Sequence, residues 1–170
     1  QGIAPLDMAI EVADELGFPV MCHLDHPPPS RLDVVSRLRQ GDILTHCFRP
    51  FPNAPVRLRD ATVREEIIAA RERGVIFDIG HGQGSFGYAT AEVMLESGFT
   101  PDCISSDVHA LSIVGPAHDQ LVTMSKFLAL GMSLDQVIAA STCEPAKAVR
   151  RPELGHLAIG TPADISVLKL

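Results

Sequence analysis

Four side chains that can bind a metal or move a proton each follow a short apolar run in the sequence. His23, His46, His81 and Asp107 end or nearly end the runs "FPVMCH", "DILTH", "VIFDIGH" and "PDCISSDVH". Successive members are separated by 23, 35 and 26 residues, close to the ~31 residues per unit expected when about 250 residues form eight strand–helix units. The spacing therefore predicts that each of these residues occupies the same position in a repeated strand–helix unit.

The segments between these runs have the periodicity of helices. Helices are predicted in "PLDMAIEVADELG", in 31–38 with Ser30 as cap, in "DATVREEIIAARERG" with Asp60 as cap, and in "YATAEVMLESG", "AHDQLVTMSKFLALG", "SLDQVIAAST" and "EPAKAV". Strands that are apolar throughout and alternate with helices indicate an α/β fold with a parallel sheet covered by helices. Residues 1–150 are predicted to form one body, and the composition changes at 151–170, where β structure is expected.

In a parallel α/β fold the carboxyl ends of the strands meet at one edge, where ligands bind. The four residues are therefore expected to converge there, and imidazole nitrogens with a carboxylate suit zinc and similar divalent ions. Asp107 could also take a proton from a metal-activated water and pass one to a leaving group. The alternatives are a helix N-cap for Asp107 and, for any single histidine, an ordinary polar position.

Three glycines after the third strand leave a second interpretation open. Gly82, Gly84 and Gly87 spell the G-x-G-x-x-G pattern of a dinucleotide-binding loop, and Asp107 lies 25 residues past Gly82. The two preceding strands end in histidines and carry no nucleotide-binding pattern. We therefore interpret the glycines as backbone room near a substrate.

Composition excludes several classes of partner. The chain has 170 residues, of which 46% are hydrophobic, and its 14 basic and 21 acidic residues give a net charge of −7. Scattered basic residues on an acidic chain argue against nucleic acid as a partner. No apolar run approaches the ~20 residues that would span a bilayer, so we expect a soluble, cytoplasmic protein with no membrane partner.

Five segments in order resemble the amidohydrolase superfamily, and within it the dihydroorotase-like amidohydrolase or deacetylase group. They are "MCHLDHPPP", "DILTHCF", "FDIGHGQGSF", "ISSDVH" and "LGHLAIGTPADISVL", and the resemblance covers essentially the whole chain. It implies a (β/α)8 TIM barrel with a small β-sandwich, one or two divalent metals with zinc as the leading candidate, and hydrolysis of an amide, cyclic amide or acyl ester of a small molecule.

The resemblance also implies a role for each candidate residue. His23 and His46 match the metal-ligand histidines of barrel strands five and six, and Asp107 matches the strand-eight aspartate that binds metal and carries the proton. His81, with Gly82 beside it, falls on strand seven, where family members place substrate-contacting groups.

Two features of the family pattern have no counterpart in this sequence. The H-x-H pair of strand one does not occur, and none of the lysines follows a predicted strand as the carboxylated lysine of strand four would. We therefore expect residues 1–150 to be the second half of the barrel, strands five to eight, and residues 151–170 to begin the segment that returns to the sandwich. A half-barrel leaves sheet edges open, so a homo-oligomer is predicted.

The sequence thus predicts a metal-dependent hydrolase that is present as a fragment. Two alternatives remain open: a nucleotide-dependent oxidoreductase that uses the glycine loop, and a non-catalytic binding or assembly module whose histidines are structural.

Overall fold

The structure, a computed structural model that describes residues 2–169, alternates helices with short strands. The helices are α1 (Ala4–Leu16), α2 (Arg31–Val35), α3 (Glu65–Glu72), α4 (Tyr88–Glu96), α5 (Gln120–Ala129), α6 (Leu134–Ser141) and α7 (Cys143–Ala148). The strands are β1 (Met21–His23), β2 (Ile43–Thr45), β3 (Val56–Arg57), β4 (Thr62–Val63) and β5 (Ile76–Phe77). The alternation confirms the predicted α/β class. Across the described residues no helix is long and apolar enough to cross a membrane.

The strands β1, β2 and β5 form a parallel sheet in that order. The register pairs His23 with Thr45 and Leu44 with Phe77, so the three strands end at the same edge. Parallel pairing requires a helical crossover between successive strands, and α2 and α3 lie in the two crossovers. The predicted convergence of the strand ends is therefore built into the register.

The fourth predicted strand, "PDCISSDVH", runs beside β5 without becoming a regular strand. Asp78 and Cys103 form an isolated parallel bridge, and the amides of His81 and Gly82 donate to the carbonyls of Ser105 and Ser106, each at 3.0 Å. These bonds hold the segment that leads into Asp107 against the end of β5.

The ends of two helices show where the prediction was right and where it was wrong. Ser30 caps α2 in a reciprocal capping box with Asp33, as expected, although the helix ends at Val35. Asp60 does not cap α3: Thr62–Val63 pairs antiparallel with β3, and Arg64 occupies the N-cap position. The β-branched pair favours strand over helix, which explains the difference.

The tail differs from the predicted β structure, because residues 151–169 form no strand and most of them are exposed. Residue 170, the last of the predicted sandwich segment, lies outside the described residues. The assignment of 1–150 to half of a barrel and of 151–170 to a sandwich stays a prediction.

The core lies between the sheet and its helices. Its largest fully buried side chains come from the strands, from the segments after β2 and β5, and from several helices; they include Phe48, Phe77, Ile79, Met94 and Phe127. Phe48 immediately follows the segment "THC", so core packing fixes the chain just beyond His46.

We expect Phe48→Ala to lower the free energy of unfolding by about 3–5 kcal/mol, because the ring is fully buried and lies 6.1 Å, centroid to centroid, from the ring of Phe127. Phe51→Ala is the matched control, since Phe51 is 85% exposed and its loss should change stability by no more than about 0.5 kcal/mol. Urea titration of both variants checks this. Equal midpoints would contradict the assigned core.

Candidate functional site

His23 and His46 meet at the carboxyl edge of the sheet. His23 ends β1, and His46 directly follows β2 with a positive φ of 62°, a conformation that is uncommon for a non-glycine residue. His23 Nδ1 lies 2.6 Å from His46 Nε2, and the rings meet edge to face at 89°. His46 is buried and His23 is exposed. The pair therefore spans the boundary between the core and solvent.

One hydrogen bond fixes the form of the buried histidine. His46 Nδ1–H donates to the carbonyl oxygen of Gly80 at 2.6 Å, which leaves a lone pair on Nε2, the nitrogen that faces His23. Burial, the main cause, and His23 lower the pKa of His46, against an opposing effect of the Gly80 carbonyl. Neutral imidazole with this tautomer is the metal-binding form of histidine, and its second nitrogen typically donates to a carbonyl or carboxylate.

Gly80 and Gly82 give the site its close backbone approaches. A Cβ at Gly80, which has φ 47°, would collide with the hydroxyl of Thr45 and lie 2.8 Å from His46 Nδ1. A Cβ at Gly82, which has φ 52°, would lie 2.6 Å from Asp107 Oδ2. The close contact explains why position 82 needs a glycine, whereas the expected proximity of Gly82 to a substrate stays a prediction. Gly80 was not predicted from the sequence.

Asp107 stands on the same edge, exposed, with a positive φ of 44°. Its carboxylate raises the pKa of His46, so the two groups are within electrostatic range. Asp107 is not a helix N-cap, because α5 begins at Gln120 and is capped by Asp119. Within residues 2–169 no three His, Cys, Asp or Glu side chains are arranged as a metal-binding group. The structure thus brings His23 and His46 into contact and leaves Asp107 nearby.

His81 lies behind the edge and is almost fully buried. Its Nδ1–H donates to the Gly82 carbonyl at 2.9 Å, its Nε2 accepts from Lys126 Nζ at 2.7 Å, and its ring stacks on Phe86 at 4.8 Å. Burial, followed by the charge of Lys126, lowers the pKa of His81. With both nitrogens engaged, His81 is poorly placed for direct contact with a substrate, and that role stays a prediction.

A buried carboxylate connects the chain segments at this edge of the sheet through hydrogen bonds. Asp78 Oδ2 accepts hydrogen bonds from the hydroxyls of Thr45 at 2.6 Å and Ser105 at 2.8 Å. Ser105 Oγ also accepts from the Gly80 amide at 3.1 Å. Burial raises the pKa of Asp78, although both hydroxyl bonds favour the ionised form. Asp78 therefore connects the ends of three neighbouring chain segments.

Comparison with curated proteins finds relatives along almost the whole chain, although no protein-family model matches it. A deacetylase of Brucella anthropi is 34% identical over an alignment of 173 residues that covers 99% of this chain and 42% of the relative. A deacetylase of Enterococcus faecalis is 32% identical over an alignment of 171 residues that also covers 99% of this chain, and 46% of the relative. The chain thus spans less than half the length of these relatives.

Solved structures give the same result in three dimensions. A crystal structure of an adenine deaminase superposes with a TM-score of 0.92 at 32% identity, covering 95% of this chain and 45% of the other. A crystal structure of a dihydroorotase gives 0.78 at 34% identity, covering 88% and 40%. The chain thus matches a part of proteins of the amidohydrolase superfamily.

Members of the amidohydrolase superfamily usually use divalent metals, which need imidazole or carboxylate ligands close together. His23 and His46 fit this requirement, because Nδ1 of one and Nε2 of the other face each other and the Gly80 carbonyl fixes the tautomer of His46. Asp107 fits by chemistry and by its edge position, but it does not complete a three-ligand group in the described chain.

Several residues of the candidate site were missed from the sequence. Asp78 was visible as a charged residue inside an apolar strand, and Gly80 as a glycine directly before His81. Lys126 and Arg49 gave no local signal, since one lies on a helix and the other in a proline-rich loop, far in sequence from the groups they contact.

We expect Gly80→Ala to displace His46 and to cost about 1–3 kcal/mol of stability, because the new Cβ needs an unfavourable φ and overlaps Thr45 and His46. Gly84→Ala is the control: its φ is not positive and no atom lies within 4 Å of the added Cβ. Thermal unfolding and the histidine ring signals in NMR spectra report both effects. Equal behaviour of the two variants would refute the close approach.

Asp78→Asn should change how stability depends on pH. Because burial raises the pKa of Asp78, its ionisation costs folding free energy that is absent below the unfolded pKa of about 4 and grows as the pH rises through the folded pKa. The variant lacks this cost and keeps an acceptor for Thr45 and Ser105. Its stability relative to wild type should therefore rise from pH 4 to pH 7 in urea titrations. A stability difference that stays the same from pH 4 to pH 7 would contradict this.

Proposed function

We propose that this chain is part of a metal-dependent hydrolase that cleaves a linear amide, a cyclic amide or an acyl ester of a small molecule. The observation that carries the proposal is the contact of His23 Nδ1 with His46 Nε2, with the tautomer of His46 fixed. A surface pair of histidines would need neither the buried carbonyl partner nor the glycine that admits it.

The names of the relatives support this reaction class. Deacetylase, adenine deaminase and dihydroorotase each denote an enzyme that uses water to break a bond from carbon to a heteroatom, nitrogen in the latter two. The names differ in substrate, so they support the class of reaction and leave the substrate open.

His23 and His46 would hold a divalent cation, with zinc as the leading candidate for an imidazole and carboxylate donor set. Such a cation acts as a Lewis acid and lowers the pKa of a water molecule beside it. His46 would present its lone pair at a fixed angle because Gly80 holds the ring, and exposed His23 would complete the pair from the solvent side.

Asp107 would carry the proton. Its carboxylate is exposed at the mouth of the site, and the bonds from the backbone amides of His81 and Gly82 to Ser105 and Ser106 fix the chain that leads to it. From this position it would take a proton from the attacking water and deliver it to the leaving group. Gly82, which allows the approach of Asp107, would lie at the wall of the substrate space.

We further propose that residues 1–150 are the second half of the enzyme's barrel and that 151–170 lead toward a second, smaller domain. The chain covers only 40% to 46% of the length of the similar proteins, which supports this proposal. Exposed apolar side chains on and near the edge strand β1, including Phe18 and Met21, also support it, since further structure of the same protein or a second copy would cover them.

Metal content of the whole protein tests the proposal. We expect near-stoichiometric zinc or another divalent transition metal by plasma mass spectrometry, lost in the His23→Ala/His46→Ala double variant and retained in His156→Ala, a variant at an exposed histidine in the tail. Metal-free folded wild type, or equal metal in the double variant, would overturn the metal assignment.

Asp107→Asn tests the proton carrier on a panel of N-acetyl amino acids, cyclic ureides and aryl acetates. The variant should keep its fold and metal and lose about 10²–10⁴ in kcat, the usual contribution of a general acid–base group. Asp135→Asn, at an exposed helical position, should keep full turnover. Unchanged turnover in the Asp107 variant would refute its role.

A further inference from the structure

We propose that Arg49 is a positioning residue that holds the chain after His23 and the chain after His46 in the geometry needed for the histidine pair. Arg49 stands three residues past His46, and its amide donates to the His46 carbonyl at 3.1 Å. Its guanidinium reaches back to the segment after β1, where Nη1 donates to the Leu24 carbonyl and Nη2 to Asp25 Oδ1 at 2.8 Å. The side chain thus connects the two strand ends that carry the histidines.

The position of Arg49 is unusual for a charged residue. The residue is 4% exposed, whereas the side chain of Asp25, its charged partner, is 60% exposed. Its Nε is buried and has no hydrogen-bond partner among residues 2–169. Burying a guanidinium against a backbone carbonyl and leaving one donor unpaired both cost stability. An ion pair on the surface would avoid these costs. The buried arrangement therefore indicates that the two chain segments must be held in a defined geometry.

The sheet alone does not supply that geometry. The pairing of β1 with β2 ends at His23 and Thr45, so residues 24 and 25 lie beyond the strand register. Arg49 provides contacts there across 25 and 24 residues of sequence. The backbone of Arg49 is itself held from the other side, because Thr90 Oγ1 on α4 donates to its carbonyl at 3.4 Å.

A planar fork suits these two contacts better than a single point charge does. The guanidinium presents two nitrogens to a carbonyl and a carboxylate at fixed angles, whereas a lysine ammonium acts as a single flexible point charge. Arg49→Lys therefore keeps the charge and removes the cross-link. Asp25→Asn is a milder second variant, because it keeps the Leu24 bond, and Asp25 is too exposed for its replacement to threaten folding.

The experiment rests on the proposed function and measures metal affinity of the whole protein by competition with a chromophoric chelator. Loss of a group that orients metal ligands typically lowers affinity 10–100-fold, and we expect this for Arg49→Lys, with a smaller loss for Asp25→Asn. The control is Arg37→Lys, whose arginine pairs with Asp7 of α1 at 2.7 Å, away from the sheet edge, and which should bind as wild type does.

The absorption spectrum of the Co²⁺-substituted protein separates positioning from general stability. A displaced histidine changes the ligand-field bands, whereas a purely structural defect lowers only the melting temperature of the metal-free protein. If Arg49→Lys does not fold, Asp25→Asn decides the question by the same two readouts. Wild type without metal would defeat the proposed function; wild type with metal, and both variants with unchanged affinity and spectrum, would overturn this inference alone.

Discussion

The hydrogen bond from His46 Nδ1 to the Gly80 carbonyl is the contact on which the rest of the site depends. It places the proton of a buried imidazole and so decides that Nε2 has the lone pair that faces His23. The bond needs β2 and β5 side by side in parallel and a residue without a Cβ at position 80. A feature of backbone geometry thereby sets the chemistry of a side chain.

Gly80 is held on both sides. Its amide donates to Ser105 Oγ, and that hydroxyl donates in turn to the buried carboxylate of Asp78, which also accepts from Thr45. The chain of contacts therefore runs from Asp78 through Ser105 and Gly80 to His46. An ionised carboxylate in this place is costly, but it accepts both hydroxyl bonds at one oxygen and so orients Ser105 toward Gly80.

The sequence predicted what depends on local pattern and on register. Apolar runs ending in His23 and His46 sufficed to place both residues on one edge, because parallel strands in register end together. It could not show that His81 turns inward to Lys126, since that contact spans 45 residues and depends on the packing of α5. Nor did helical periodicity show that Thr62 begins a strand, because pairing with β3 outweighs the helical pattern.

The two histidines differ in what holds them, and this difference gives the site a closed side and an open side. His46 follows the central strand β2 and is fixed by β5, while His23 ends β1, which pairs only with β2 among the described strands. On the Asp107 side, backbone hydrogen bonds hold the segment after Cys103 against the chain that follows β5. On the His23 side, exposed Met21 and an unpaired strand edge face outward. The β1 side is thus open to further structure, because an edge strand can pair with another strand.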